Sequence, residues 1–326
     1  MKIAKVSQPW VEKYRPKTFD DIVSQNIAIN NIKEFVRTTD MPHMIFTGPA
    51  GTGKTSTALI IANTFLKKEE KDTNLLELNA SDTVRMDFVR NVIKEFINQN
   101  IILNGSLKFI ILDEADNIPS QVQQALRRII EKSSNNIKFI LLCNYINRII
   151  DPIISRCAVF RFVNLSREKL IERLKFILKN EGISIPSKNS EEFFNRIFFI
   201  SGGDLRKAIN ILQMAVALEL IEDVDVNEIL RISGFLDDMT LNLLLEAFKN
   251  KDYTKTREIV LSIENLDSRN LIRQLLDKII SLNLELNKMA KLRSSIGDVD
   301  YRISQGSDEI IQISALLANI IEIMKE

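Results

Sequence analysis

Eight consecutive residues, Gly48-Pro49-Ala50-Gly51-Thr52-Gly53-Lys54-Thr55, restrict what this chain can fold into more than any other stretch. They fit the spacing G-x-x-x-x-G-K-[ST], follow an apolar run from His43 to Thr47, and lead into a helical stretch from Ser56 to Leu66. Glycines let successive backbone N–H groups curl round a phosphate, and the start of a helix adds positive potential at the same point. Lys54 is then suited to reach the β- and γ-phosphates of a nucleotide, and the Thr55 hydroxyl to hold Mg²⁺. Strand, phosphate loop and helix in this order predict an α/β domain with a parallel sheet.

The rest of the first half agrees with that class. Strand-like runs recur at Leu75 to Asn79, Lys108 to Leu112, Ile137 to Cys143 and Ala158 to Phe162, with helical stretches between them. Such alternation predicts a sheet covered on both faces. Ligands of these sheets bind beyond the carboxyl ends of the strands. There the apolar run Phe109 to Leu112 ends in two carboxylates, Asp113 and Glu114. Asp113 suits Mg²⁺, directly or through water, and Glu114 suits polarising an attacking water as general base. Two acids after a strand are ordinarily a solvated turn. The phosphate loop upstream turns the reading towards function.

From Leu165 onward the apolar spacing is helical almost throughout. Gly182 with Pro186, and Gly202-Gly203, interrupt it as turn residues do, and Asp204 is placed to cap the helix that follows. Ser233-Gly234 marks a second break. The expected organisation is an α/β nucleotide-binding domain over 1–164, a small helical lid over 165–232 and an all-helical collar domain over 233–326. Near the end, Ile310, Ile313, Leu317, Ile320 and Met324 form one stripe flanked by Leu316 and Ile321, read as core within the domain in preference to a subunit contact. Lys67 to Asp72 is a charge run expected in a solvated loop.

Composition closes off several classes. The 44 basic residues nearly balance 43 acidic ones, for a net charge of +1, so any nucleic-acid contact must come from a local patch. The apolar runs are too short to span a bilayer, and Met1 to Pro9 lacks the apolar core of a signal peptide. Cys143 and Cys157 sit among apolar neighbours and are expected as buried thiols in a reducing compartment. With His43 the sole histidine, structural zinc is not expected.

With these residues in place, the chain resembles the AAA+ ATPases and, more narrowly, the small subunits of replication factor C of the archaeal or eukaryotic kind. The likeness is carried by Trp10-Val11-Glu12-Lys13-Tyr14-Arg15-Pro16, the phosphate loop, Leu112-Asp113-Glu114-Ala115-Asp116, Cys143-Asn144-Tyr145, Ser155-Arg156-Cys157, Ser201 to Ala208 and Ile296 to Arg302. The loop and the acidic pair occur in many ATPases, whereas the segments around Tyr14 and Arg156 are more specific. The resemblance implies that Asn144 is the polar sensor orienting the lytic water, and that Arg156 is an arginine finger acting on a neighbouring subunit's nucleotide. It implies that Arg206 is a second sensor at the γ-phosphate, and that Val11, Tyr14, Arg15 and Pro16 line the adenine pocket beside the loop Gly48 to Thr55. Trp10, Val11 and Tyr14 are equally readable as an arm packed on the domain. Asn79 is a candidate restraint on Glu114.

The same resemblance implies ATP and Mg²⁺ as cofactors. It implies a large clamp-loader subunit and other small subunits as neighbours, and a sliding clamp and primer–template DNA as further partners. ATP hydrolysis would then drive clamp loading in DNA replication, in the cytoplasm of a prokaryote or the nucleus of a eukaryote. Another AAA+ DNA-associated motor, such as a branch-migration motor, and a weakly active scaffold subunit stand as alternatives.

On the helix predicted over Ser120 to Lys132, the spacing buries Val122, Ala125, Leu126, Ile129 and Ile130. It exposes Gln121, Gln124, Arg128 and Glu131, with Arg127 at the margin. The matching family helix lines the chamber that receives DNA, so Arg127 and Arg128 are phosphate contacts, intersubunit braces or members of local ion pairs. The chain departs from the family after Asp82, where Val84 and Arg85 replace the usual Arg-Gly pair that faces DNA. Arg85 and Arg90 remain candidate DNA contacts there. Ile310 stands where the family often carries a charged residue.

Overall fold

The computed structural model describes residues 8–38, 40–80, 86–99, 107–133, 136–185, 190–220, 226–263, 267–279 and 284–325. Five strands form one parallel sheet: β1 (His43–Thr47), β2 (Leu75–Asn79), β3 (Lys108–Asp113), β4 (Ile137–Cys143) and β5 (Cys157–Arg161), in the order β2-β3-β4-β1-β5. Helices of seven residues or more are numbered here, beginning with α1 (Asn26–Thr38), α2 (Lys54–Phe65), α3 (Met86–Asn98), α4 (Ser120–Lys132) and α5 (Arg167–Glu181).

The central strands read as continuous apolar runs because both sheet faces are covered. Alternate residues feed two cores. Phe46, Phe109, Ile111, Ile140 and Leu142 pack with Ala28 and Ile32 of α1 and Ala58 and Ile61 of α2. Ile45, Ile110, Leu112, Phe139 and Leu141 pack with Ile93 of α3 and Val122, Leu126 and Ile130 of α4. Each such side chain contributes on the order of 1.5–3 kcal/mol relative to exposure, which fixes the strands' register as well as their stability.

The expected elements differ from the observed ones in small ways with local causes. β5 starts at Cys157, which pairs with His43, and ends one residue before Phe162, although Phe162 N–H still donates to Thr47 O at 2.8 Å. α2 starts at Lys54 rather than Ser56, because Gly53 takes a left-handed conformation (φ 97°) and turns the chain directly into the helix. The charged run at Lys67 folds into two short turns, Lys68–Glu70 and Lys71–Asn74, instead of a loop. Both cysteines are free; Cys143 is buried and Cys157 half-buried.

The chain divides into two compact units, Met1–Ser184 with Ser201–Gln213, and Ile185–Ile200 with Met214–Glu326. The remaining helices are α6 (Ser190–Ser201), α7 (Leu205–Ala217), α8 (Val226–Ile232), α9 (Asp238–Lys249), α10 (Tyr253–Leu261), α11 (Ser268–Ile279), α12 (Leu286–Ser304) and α13 (Glu309–Lys325). In the second unit Leu244, Phe248, Leu271, Leu292, Ile296 and Leu317 share one core. The α13 stripe enters it through Ile313, Leu316, Leu317, Ile320 and Ile321. Ile310 does not; it lies in the first turn of α13 and is 66% exposed. Among the described residues no helix is long and apolar enough to cross a membrane.

Candidate nucleotide site

Strand register brings the loop, the acids and the polar strand end together. Thr47 pairs with Cys143 and Leu112 with Leu141, so β1, β4 and β3 end side by side at the carboxyl edge of the sheet. Gly48, Asn144 and Glu114 come immediately past these ends, and Asp113 is the last residue of β3. Gly48 must be glycine. Its φ is 146°, and a Cβ there would lie 2.0 Å from the Phe162 carbonyl oxygen. The loop folds back on itself through a 2.8 Å bond from Thr52 Oγ1 to Pro49 O.

Lys54 opens α2 and is 8% exposed. Its Nζ donates to Gly48 O (2.5 Å), Pro49 O (2.8 Å) and Asn144 Oδ1 (3.0 Å), so three oxygens surround the ammonium. Burial pushes its pKa below the usual lysine value; the negative charge of Asp113 opposes the shift, and the positive charge of Arg206 adds to it. One residue on, Thr55 Oγ1 donates to Asp113 Oδ2 at 2.9 Å. The other Asp113 oxygen accepts the Glu114 N–H at 2.9 Å. Glu114 itself is held at φ 53°, a conformation uncommon for a residue with a side chain. Its carboxylate accepts from Asn117 Nδ2 at 3.2 Å. Asn79 lies opposite Asp113 in the β2–β3 register.

Sequence reading missed Asp116, which is 8% exposed. Its Oδ2 accepts the backbone N–H groups of Asn144 (3.2 Å) and Tyr145 (3.1 Å), and thereby fixes the turn that carries the Asn144 amide. Its Oδ1 is buried with no partner among the described residues. The signal available in the sequence was the third acid after β3, which the Asp113–Glu114 pair overshadowed.

On the far side of the loop, Val11, Tyr14, Arg15 and Pro16 line a cavity whose other walls are Gly51, Thr52 and Gly53 of the loop and Leu205, Arg206 and Ile209 of α7. The N-terminal arm is also packed. Trp10 is buried and its backbone N–H donates to Gln213 Oε1 at 2.9 Å. Arg173 donates to Tyr14 O at 3.0 Å, while Glu181 Oε1 accepts from both Tyr14 OH (2.5 Å) and Lys13 Nζ (2.6 Å). Burial, then the Glu181 bond, pushes the Tyr14 phenol up to about 12. Asp204 caps α7 by accepting the Lys207 N–H at 3.0 Å. It also lies so close to Gly51 that a Cβ there would meet its Oδ1 at 1.7 Å.

The remaining candidates separate into two places. Arg156 follows the single turn Asp151–Ile154; its guanidinium hydrogen-bonds to that turn and to Ser155 beside it, and forms an ion pair with α4. Nη1 donates to Pro152 O (2.6 Å) and Ser155 Oγ (3.2 Å), and Nη2 pairs with Glu131 Oε1 at 2.5 Å. Arg127 Nε joins the same Glu131 oxygen at 2.9 Å. The Arg127 hydrogen bond foremost, with the nearby arginine charges, holds the exposed Glu131 carboxyl below its ordinary pKa. Arg128 instead lines a groove between α3 and α4 with Lys94 and Lys132. Arg90 lies on α3, but its side chain is outside the described residues, as are Val84 and Arg85.

A model of the ATPase family associated with various cellular activities (AAA) matches residues 44–165, and one of the replication factor C C-terminal domain matches residues 237–319. Over 320 residues the chain is 41% identical to replication factor C small subunit 1 of Pyrobaculum islandicum, a span of 97% of this chain and 95% of that protein. The chain belongs to the replication factor C small subunits. The replication factor C small subunit of Archaeoglobus fulgidus is 39% identical over 320 residues, covering 97% of this chain and 98% of that one. Replication factor C small subunits are the ATPase subunits of the clamp loader in DNA replication. This chain shares its fold with the solved Thermotoga maritima RuvB Holliday junction branch migration motor, with a TM-score of 0.53 at 18% identity over 77% of this chain and 86% of that one. A variant of that motor gives 0.56 over 81% and 91%. At that identity the likeness is one of architecture alone.

Proposed function

We propose that this chain binds ATP with Mg²⁺ and hydrolyses it to ADP and phosphate, as one subunit of a clamp loader assembled with a large subunit and other small subunits. The observation that carries the reading is the hydrogen-bonded set Lys54–Asn144 and Thr55–Asp113 at the carboxyl edge of the sheet. Lys54 holds the β- and γ-phosphates, which offer the same kind of oxygen acceptor that now surrounds its ammonium. The oxygens of Thr55 and Asp113 are the hard donors that Mg²⁺ takes. When bound, that ion neutralises charge developing on the phosphates.

Glu114 takes a proton from the attacking water, which the Asn144 amide orients. Arg206, on the cavity wall, contacts the γ-phosphate, and Val11, Tyr14, Arg15 and Pro16 enclose the adenine. Arg156 acts on the nucleotide of a neighbouring subunit, where such an arginine contributes ~10³ to 10⁵ in rate. We assign nucleotide chemistry to residues 1–164, the lid carrying Arg206 to 165–232, and assembly to 233–326. Primer–template DNA contacts the α3–α4 groove through Lys94, Arg128 and Lys132, with Arg85 and Arg90 as further contacts and Arg127 as a brace. A sliding clamp is the cargo, and the archaeal relatives support a cytoplasmic site of action.

The test is steady-state ATP turnover of the chain assembled with its large subunit, with and without primed DNA and sliding clamp. Strong joint stimulation by DNA and clamp is expected. Turnover indifferent to the clamp would move the reading to another AAA+ motor.

A further inference from the structure

We propose that Glu131 is a positioning residue for Arg156: it sets the guanidinium in the orientation that a neighbouring subunit's γ-phosphate meets. The inference rests on the reading of Arg156 as acting in trans. Arg156 lies between a single helical turn and the start of β5 at Cys157, and is exposed at the subunit surface. A long side chain there would ordinarily sample many rotamers. Here Nη1 donates to Pro152 O and Ser155 Oγ, and Nη2 forms an ion pair with Glu131 Oε1. The first two partners belong to the segment that carries Arg156, which is anchored through Ile153 in the core shared with α4. Glu131 comes from α4, whose buried face is locked into the sheet through Val122, Leu126 and Ile130, so among the described contacts Glu131 adds a charged hold on the guanidinium from outside its own segment. Arg127, four residues earlier on α4, bonds the same Glu131 oxygen and keeps the carboxylate in one conformation.

Magnitude decides between a lock and a guide. Arg156 and Glu131 are 35% and 30% exposed, respectively, and ion pairs this open to solvent are weak. A phosphate group forms charge-assisted, bidentate contacts with arginine that outcompete such a pair. Glu131 therefore cannot hold Arg156 back from ATP. What a weak pair can do is narrow rotamer freedom before the two subunits meet, so that less is lost when they do.

The experiment is ATP turnover by the assembled loader carrying Glu131→Ala, Glu131→Gln, Arg156→Ala, or Arg156→Ala together with either Glu131 change. The expected result is a fall in kcat of about three- to tenfold for Glu131→Ala, the size set by ordering one long side chain. KM for ATP and the melting temperature stay unchanged. Glu131→Gln, which keeps the shape and loses the charge, falls between wild type and Ala. In the Arg156→Ala background neither Glu131 change lowers turnover further. An equal fall in both backgrounds, or a fall expressed in KM alone, overturns the positioning role while leaving Arg156 in trans. Wild-type turnover by Arg156→Ala overturns the trans reading, and Glu131 positioning with it.

Discussion

Lys54 and Asn144, 90 residues apart in sequence, share a 3.0 Å hydrogen bond from Nζ to Oδ1. Lys54 opens the helix after β1 and Asn144 follows the adjacent strand β4, and their contact joins the group proposed to grip phosphate to the group proposed to orient water. Lys54→Ala is therefore expected to remove more than a charge, because it also frees the Asn144 amide. Turnover in the assembled loader should fall by at least ~10²-fold, the scale of losing one preorganised electrostatic contact. Asn144→Ala should lower kcat while a fluorescent nucleotide still binds within a few-fold of wild type. Normal turnover by Lys54→Ala would exclude this loop as the working site.

Asp116 supports that arrangement from beneath. Replacing it by Ala leaves the N–H groups of Asn144 and Tyr145 without their carboxylate acceptor in a nearly buried position, at a cost of about 1–3 kcal/mol. Chemical denaturation should register the loss in the midpoint, and kcat should fall with it. Asp116→Asn keeps one oxygen acceptor and should recover most of the stability. If Asp116→Ala unfolds at the wild-type midpoint, the turn is held by something else.

The Tyr14–Glu181 bond makes the N-terminal arm sensitive to alkaline pH. Tyr14 has its pKa raised to about 12 in the folded protein, by burial first and the Glu181 bond next, against about 10 in the unfolded chain. Its contribution is present in full below the unfolded value and is lost as pH rises through the folded one. Stability is thus expected to decline between pH ~10 and ~12, and Tyr14→Phe should flatten that part of the profile. Unfolding followed at several alkaline pH values, with tyrosinate absorbance as a second readout, checks it. An unchanged slope in Tyr14→Phe would assign the alkaline loss to other groups.

The groove between α3 and α4 predicts how DNA binding depends on salt. Lys94→Ala, Arg128→Ala and Lys132→Ala should each weaken primer–template binding evenly across sequences, and each should reduce the salt slope by about one. Arg127→Ala should leave the slope intact, because Arg127 does not line the groove shared by Lys94, Arg128 and Lys132. Fluorescence anisotropy of a labelled primer–template over a range of salt concentrations separates the two classes. A slope change for Arg127→Ala and none for Arg128→Ala would reverse the assignment.

Much of this could be read from the sequence, and the exceptions have physical causes. Strand positions were legible because strands buried on both faces must be apolar throughout, and the loop was legible because phosphate binding dictates residue type at fixed spacing. The arginine pair was not. Arg127 and Arg128 are neighbours in sequence, yet on a helix they point about 100° apart, and only packing decides which faces the groove and which faces Glu131. Gln123 was likewise invisible: it sits buried in α4, donating to Ile118 O and Arg148 O and accepting the Ile150 N–H. No periodicity predicts such a polar clasp, which knits α4 to the segment leading to Arg156. The exposed Ile310 followed the stripe in sequence but lies in the first turn of its helix, outside the packed stretch.

The side-by-side ends of β1, β4 and β3 also bear on how such a chain can change over evolutionary time. Thr55 and Asp113 meet across 58 residues, but their distance is set by backbone ladders between neighbouring strands and not by the chain that connects them. Insertions or deletions in the connecting segments other than the phosphate loop can therefore accumulate without moving one functional atom relative to another. A single residue gained inside β1 or β4 would displace Asn144 from Lys54 by about one strand step, roughly 3.3 Å, and turn every side chain beyond it to the opposite face. Length variation among descendants of this sequence should accordingly be found between the strands and be nearly absent within them.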